Sequence, residues 1–534
     1  MNTQIATLEP AAGSRTARSR LLPCSIALLT ATLIAGCTVG PKYHTPSAPV
    51  PTAANYKEST VNPQFQDTDT WKVASPQDAM LRGNWWEIFH EPELNALEDQ
   101  LNINNQTIKV YLENYMAARA EIRQARSQYY PTVTVGPSFT RTRSSGTLSQ
   151  GAATTTGGTG GTSTGTGATS GSQLTVWDAP ADISWAPDLF GRVRNTVREY
   201  QAAAQVSEAD LENERLLEQA TLAQTYFEIR GQDALQDLLN ETVAADQKIL
   251  DLTQSLYDTG IDNQLAVEQA KQTLTAAQAQ ATNAGVARAE YEHAIATLLG
   301  KAATDFSIPK RPSLPEPPPI PTGTPSQLLE RRPDIAAAER QMEEANAVIG
   351  IGYAAFYPTL TLSATGGFES SSFTKWFNWP SRFWSIGPSV SETVFDAGLR
   401  RATIDQYIAT YNADVATYRQ AVLTAFQQVE DDLAATRIQS QQIQQQQASV
   451  NSAQKALELE KNRYETGLDP YIDLMTQQTT TLAAQQTLVN LQVQQMTSAV
   501  LLVEALGGGW DTSDLPTKKQ VTQKAPPNER KVQN

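Results

Sequence analysis

The chain has 534 residues, 40% hydrophobic and 18% charged, with a formal net charge of −15. A surface this acidic repels phosphate, which speaks against a nucleic-acid partner. Three scattered histidines (His44, His90, His293) and two cysteines (Cys24, Cys37) offer neither a clustered metal site nor a disulfide framework.

In chain order, a positive segment with Arg15, Arg18 and Arg20 precedes the apolar run Leu21 to Ile34. That run is short for a permanent span and is interrupted by Pro23, so residues 1–36 read as a secretory signal. Ile34-Ala35-Gly36-Cys37 looks like a bacterial lipobox. In that pattern the cysteine takes a diacylglycerol, the chain is cut before it, and the new N-terminus is acylated. Thr38 is not the Asp that favours inner-membrane retention in lipoproteins of this class, which points to the outer membrane. The plainer alternative is an ordinary signal with an incidental cysteine. Beyond it no stretch approaches the roughly 18 consecutive apolar residues of a transmembrane helix.

The most informative feature is an internal duplication. Tyr257-Asp258-Thr259-Gly260-Ile261-Asp262 returns as Tyr464-Glu465-Thr466-Gly467-Leu468-Asp469. Tyr129-Tyr130-Pro131-Thr132-Val133-Thr134-Val135 returns as Phe356-Tyr357-Pro358-Thr359-Leu360-Thr361-Leu362. Phe190-Gly191-Arg192 has a looser echo in Phe395 to Arg400, and each half closes on a Leu-Gly pair, Leu299-Gly300 and Leu506-Gly507. Motifs repeated in one order predict two like units, 93–308 and 326–510, joined by the proline-rich linker 309–325.

Each half reads alike. A medium helix comes first, over Leu94 to Tyr130 and over Asp334 to Ile349. Two strands follow, about 131–141 and 175–187 in the first half and 358–368 and 384–395 in the second. A very long helix comes next, about 193–259 and 401–466, and a glycine turn leads into a return helix. Ala402 to Arg463 holds 62 residues without Gly or Pro, about 93 Å of straight helix. Ile404, Ile408, Tyr411, Val415, Tyr418 and Val422 alternate spacings of four and three, and Val489, Val493, Met496, Val500 and Val503 continue the pattern on the return helix. Leu216, Ala220, Ala223 and Phe227 show a patch of it in the first half. This is a coiled-coil seam. Polar, Gln-rich faces on either side of a narrow seam fit a wall one helix thick, although a simple coiled-coil stalk has the same periodicity.

The strands speak against the stalk. Val133 and Val135 alternate with threonines, and Ala181, Ile183 and Trp185 with Asp182, Ser184 and Ala186. Leu360 and Leu362 alternate with threonines, and Ile386, Pro388 and Val390 with Gly387, Ser389 and Ser391. Trp376, Phe377, Trp379, Phe383 and Trp384 cluster at the second hairpin tip like an interfacial girdle. Four strands cannot close a barrel, and open edges are not tolerated in lipid. Membrane strands here therefore demand several chains per barrel, twelve strands for three copies. The Gly/Ser/Thr/Ala tract 144–172 reads as a surface loop, and 511–534 as a disordered tail. Its Gly161-Thr162-Ser163-Thr164-Gly165 matches G-x-S-x-G only formally, with no strand before it and no helix after it. Neither an enzyme nor a bound cofactor is expected.

These residues together resemble the TolC-type outer membrane efflux proteins, in the lipoprotein branch that serves resistance-nodulation-division (RND) pumps. The resemblance rests on Cys37-Thr38-Val39-Gly40-Pro41-Lys42-Tyr43, on Trp85-Trp86-Glu87-Ile88-Phe89 with Pro92 and Leu94, on Glu330-Arg331-Arg332-Pro333-Asp334-Ile335-Ala336-Ala337-Ala338-Glu339, and on the duplicated glycine turns. It implies a mainly α fold with a β-barrel part: a tandem-duplicated α-barrel, and four membrane strands per chain completed by a homotrimer as a twelve-stranded barrel in the outer membrane. It implies a periplasmic tunnel that meets a periplasmic adaptor and an inner-membrane pump, and passive exit of small molecules. Residues 37–92 would be a lipidated strap, tethered at Cys37 to outer membrane lipids. The turns at Gly260 and Gly467 would mark the periplasmic end. A closed aperture there would involve Tyr464, Asp469, Ile472, Asp473 and Thr476, with Asp473 at the family's acidic position and Thr476 where a second acidic residue often stands. A type I protein-secretion duct shares the fold and remains the alternative, with a coiled-coil tether behind it.

Overall fold

A computed structural model describes residues 39–49, 56–58, 83–143, 173–320 and 328–523. Cys37, the signal segment, the tract 144–172 and part of the 309–325 linker lie outside them. The chain divides into two compact units. One holds the strands with the adjoining helix ends, and the other holds most of the helical residues.

In the first unit, β1 (Thr132–Val135) and β2 (Ser138–Arg143) both pair with β3 (Gln173–Trp185). β3 pairs with β4 (Thr359–Ser370), and β4 with β5 (Arg382–Ser391), all antiparallel. The strand expected over 131–141 is thus split at residues 136–137. Pro137 has no N–H to give the ladder, and the register sets its neighbour Gly136 opposite Pro180, which has none either, so that only Gly136 N bonds across, to Pro180 O at 3.3 Å. β1 and β2 still lie in one register against β3, so they form a single track with a gap. The last strand ends at Ser391, short of the expected 395.

The register builds two contrasting faces. Val133, Ile183, Ala364 and Ile386 form one row across the sheet, and Val135, Ala181, Gly366 and Trp384 the next. On the reverse face the rows are Thr132, Ser184, Ser363, Gly387 and Thr134, Asp182, Thr365, Ser385. There Thr365 Oγ1 donates to Asp182 Oδ1 at 2.7 Å. Side chains alternate across a strand, so one face is apolar and the other polar. Phe139, Trp177, Phe373, Trp376 and Phe377 make a chain of ring contacts. Phe383 departs from the expected girdle: it pairs with Gly367, on the face opposite Trp384. β1, β2 and β5 each pair on one side only among the described residues.

The second unit contains α1 (Pro92–Asn104) and most of α2 (Gln106–Ser127), α3 (Arg192–Asp258), α5 (Pro333–Ala354) and α6 (Leu399–Glu465), together with all of α4 (Gln264–Leu298) and α7 (Tyr471–Ala505). α3 and α6 each run for 67 residues, and α4 and α7 for 35. The helix expected from Leu94 to Tyr130 is broken at Asn105. Its Oδ1 caps Ile108 N (2.9 Å), while its amide donates to Glu218 Oε2 and to Leu298 O, both at 3.0 Å. That is an N-cap in mid-run, which periodicity does not register. α5, expected to end near Ile349, continues to Ala354 through two glycines.

The core confirms the seam: Leu216, Ala220, Ala223 and Phe227 pack with Tyr418, Val422, Met496, Val500 and Val503. Trp85, Trp86, Ile88 and Phe89 enter it from a 3₁₀ turn, so the segment expected as an extended strap is folded at its end. Arg332 pairs with Asp334 and donates to Ala505 O at the C-terminus of α7 (3.0 Å), with Pro333 starting α5. This gives the Arg-Arg-Pro-Asp motif a structural task. The expected disordered tail is ordered as far as residue 523. A short helix, α8 (Lys518–Thr522), carries a capping box between Thr517 and Gln520 and buries Val521 against Tyr115, Ile122 and Ala204.

Candidate functional site

The duplicated turns are the same backbone device built twice. Gly260 N donates to Tyr257 O and Ile261 N to Leu256 O, each at 2.9 Å; Gly467 and Leu468 do the same to Tyr464 and Arg463 at 2.9 Å. This Schellman closure needs a left-handed residue, and φ is +78° at Gly260 and +71° at Gly467. Asn263 then caps α4 by accepting from Ala266 N (3.0 Å), whereas α7 starts after Pro470. The turns are neighbours: a Cβ built on Gly467 would lie 3.7 Å from Ile261 Cγ2.

Beneath them the two halves lock together. Tyr464, 2% exposed, belongs to an apolar cluster with Ile249, Ala266, Ala270, Tyr471 and Leu474. Its hydroxyl donates to Asp262 Oδ2 (2.9 Å), with Thr253 Oγ1 at 2.8 Å. Burial raises the phenol, so it stays a donor. One helical level on, the Gln478 amide donates to buried Asp246, whose carboxyl is pushed up to about 6 by burial. Tyr464 is therefore a buried clasp between repeats.

The residues nearer solvent differ. Arg463 forms a two-pronged ion pair with Asp469 across the turn, its Nη2 2.7 Å from Oδ1. Those hydrogen bonds hold the Asp469 carboxyl below its ordinary range. Desolvation and the Asp469 charge raise Glu460 beside it. Ile472 and Asp473 are exposed on the first turn of α7, and Thr476 is exposed on the next. Thr476 Oγ1 donates back to Ile472 O (2.7 Å), leaving Asp473 as the charged group of the first turn.

Arg463, Glu460, Asp262 and Asp246 were not among the residues singled out from sequence. Arg463 left a signal, since Leu256 holds the same place in the first repeat. Among the described residues no group of His, Cys, Asp or Glu could hold a metal ion. Among the described residues no helix is long and apolar enough to cross a membrane.

A sheet with one apolar face, paired helices of equal length and duplicated turns define a tandem-repeat strand-and-helix protein. The family model for outer membrane efflux proteins matches residues 97–301 and 324–508. A probable efflux pump outer membrane protein of Pseudomonas putida, TtgC, is 30% identical over 90% of this chain and 94% of its own. A second from the same species, SepC, is 32% identical over 91% of this chain and 96% of its own. The solved outer-membrane channel OprN superposes with a TM-score of 0.75 at 27% identity, covering 89% of this chain and 100% of that one. The chain belongs to the outer membrane efflux protein family. It is an outer-membrane efflux channel.

Proposed function

We propose that three copies of this chain form the exit duct of a tripartite efflux system. Twelve strands close one barrel in the outer membrane, and the paired long helices line a tunnel through the periplasm. A periplasmic adaptor and an inner-membrane RND pump deliver small molecules to its turn end, and the duct passes them on without doing chemistry. The observation that carries this reading is the sheet: apolar on one face, polar on the other, and unpaired along both edges among the described residues. Such a sheet is stable in hydrocarbon only when its edges are closed. Cys37 carries the lipid that tethers the N-terminus. At the turn end, exposed Asp473 and Ile472 line the closed aperture, with Asp469 held by Arg463 beside them.

The test pairs assembly with transport. Native mass measurement in detergent should give three chains. In cells lacking their own efflux channels, co-expression with a cognate adaptor and pump should lower accumulation of a fluorescent efflux substrate. Single chains by mass, or accumulation unchanged in the presence of a working pump, would overturn the reading.

A further inference from the structure

The repeat not only duplicates elements; its halves touch each other within the chain on one side of each half. Phe190, at the entry to α3 in the first half, stacks on Tyr357 at the exit of α5 in the second half. The centroids are 4.7 Å apart and the planes 21° from parallel. The counterparts of these two residues are known from the duplication. Phe395 precedes α6 as Phe190 precedes α3, and Tyr130 follows α2, before Pro131, as Tyr357 precedes Pro358. Both counterparts are bare, Tyr130 at 70% exposure and Phe395 at 85%.

The glycine turns repeat the pattern. Tyr464 of the second half is buried on Asp262 and Thr253 of the first. Its counterpart Tyr257 is 41% exposed. The counterparts of Asp262 and Thr253 are Asp469 and Glu460. In each unit of the fold a contact is made once, between first and second half; of the residues for making it again, Tyr130, Phe395 and Tyr257 stand exposed, and Asp469 and Glu460 are half-buried beside Arg463.

We propose that the residues left over meet between copies of this chain. Phe395 of one copy stacks on Tyr130 of the next, and Tyr257 of that next copy donates its hydroxyl to Asp469 or Glu460 of the first. The second half of one copy thereby faces the first half of its neighbour, as the first half faces the second within the chain. A head-to-tail interface of this kind closes into a ring when its rotation allows. Aromatic rings favour offset stacking over exposure to water. A phenol donating to a carboxylate makes a charge-assisted bond, and the turn supplies two carboxylates where the in-chain contact has one and a threonine. A second copy is the occupant because only this chain carries the matching halves. The inference rests on the three-copy reading and goes beyond it, by naming the residues that join the copies.

Cross-linking tests it, and the chain suits the method, having only Cys24 and Cys37. The full chain carrying Tyr130→Cys and Phe395→Cys together is purified in detergent and treated with a short bis-maleimide. A denaturing gel should convert from a one-chain band to a three-chain band. Each single variant should stay at one chain, because neither position meets its own copy across such an interface. Mixing the two single variants before assembly should give a two-chain band. The double variant Tyr257→Cys with Asp469→Cys reports the turn contact independently and should give the same three-chain band. A native mass of three chains with neither double variant cross-linking overturns these contacts while leaving the three-copy reading intact. A native mass of one chain overturns both.

Discussion

The Tyr464 hydroxyl donates to the Asp262 carboxylate at 2.9 Å, joining two glycine turns that lie far apart in sequence but next to each other in space. The ring beneath it packs in an apolar cluster, so the bond is held in place by burial on one side. Tyr464→Phe keeps the ring and removes the donor. A hydrogen bond to a charged group contributes about 1.5 kcal/mol, more than a neutral one. The variant should melt earlier by an amount of that order, and the turns should part more easily. Thermal unfolding and single-channel conductance check this together; wild-type values in both would mean that the bond holds nothing.

Asp473 is the charged group of the exposed first turn of α7. In the proposed three-copy assembly, Asp473 of each copy would form a ring of like charge around the axis, which favours cations. Asp473→Ala should reduce cation preference and raise conductance. Thr476→Ala should do little, since that hydroxyl is spent on Ile472 O at 2.7 Å. Reversal potentials in a salt gradient, recorded in planar bilayers, separate the two. The Asp473 effect should fade at high salt, where the screening length falls to about 3 Å at 1 M. Unchanged selectivity at low salt in Asp473→Ala would move the aperture elsewhere.

Asp246 predicts a pH dependence with a definite sign. Burial pushes its carboxyl up to about 6, while the Gln478 amide pulls the other way. The folded state therefore holds a proton that the unfolded chain, with a carboxyl near 4, gives up. That contribution to stability is complete below about pH 4 and is lost as pH rises through about 6. Asp246→Asn keeps an acceptor for Gln478 and cannot ionise. It should be more stable than wild type at pH 8 by on the order of 1 kcal/mol, and the gap should close by about pH 4. Unfolding curves at the two pH values test it; an equal gap at both would rule out titration of Asp246.

Val521 tests the ordered end of the chain. It is 1% exposed, against Tyr115, Ile122 and Ala204. Val521→Ala should cost about 1–2 kcal/mol, the range for removing buried methyl groups. Lys519→Ala, at an exposed position of the same helix, should be close to neutral. Equal melting of both variants and the wild type would show that α8 adds no stability.

Cys37→Ser should abolish metabolic labelling with palmitate and block processing after Gly36. Labelling equal to wild type would remove the lipid tether. Transport should survive in part, because the barrel proposed for three copies would hold the protein in the membrane without it.

Much of the fold is legible in sequence because its elements are periodic and long. The run without Gly or Pro from Ala402 to Arg463 forecasts a helix that in fact spans Leu399–Glu465. The Tyr-x-Thr-Gly turns forecast two reversals that both close as left-handed caps. Alternation at Val133, Ile183, Leu362 and Ile386 forecasts the apolar face. What escaped has a local cause in each case. Asn105 breaks a helix through its side chain, without the Gly or Pro that marks a break. Pro137 and Pro180 come side by side on adjoining pairs, interrupting the ladder, only once β1, β2 and β3 are in register. Arg463 reaches Asp469 around a turn, at a spacing that no helix periodicity brings together.

The sequence by itself determined the duplication, the lengths of the helices, the positions of the turns and the two-sided character of the strands. Each of these is set by residues near one another along the chain. Only the tertiary structure decided which tyrosine of the duplicated pair is buried. Tyr257 and Tyr464 stand in nearly identical hexapeptides, yet one is 41% exposed and the other 2%. Their hexapeptides are nearly the same and close in the same turn; what differs most is the surface across from them. Tyr464 meets Asp262 and Thr253 of the other half of its own chain. Burial belongs to the pair in contact, and the identity of that partner is written in no local pattern.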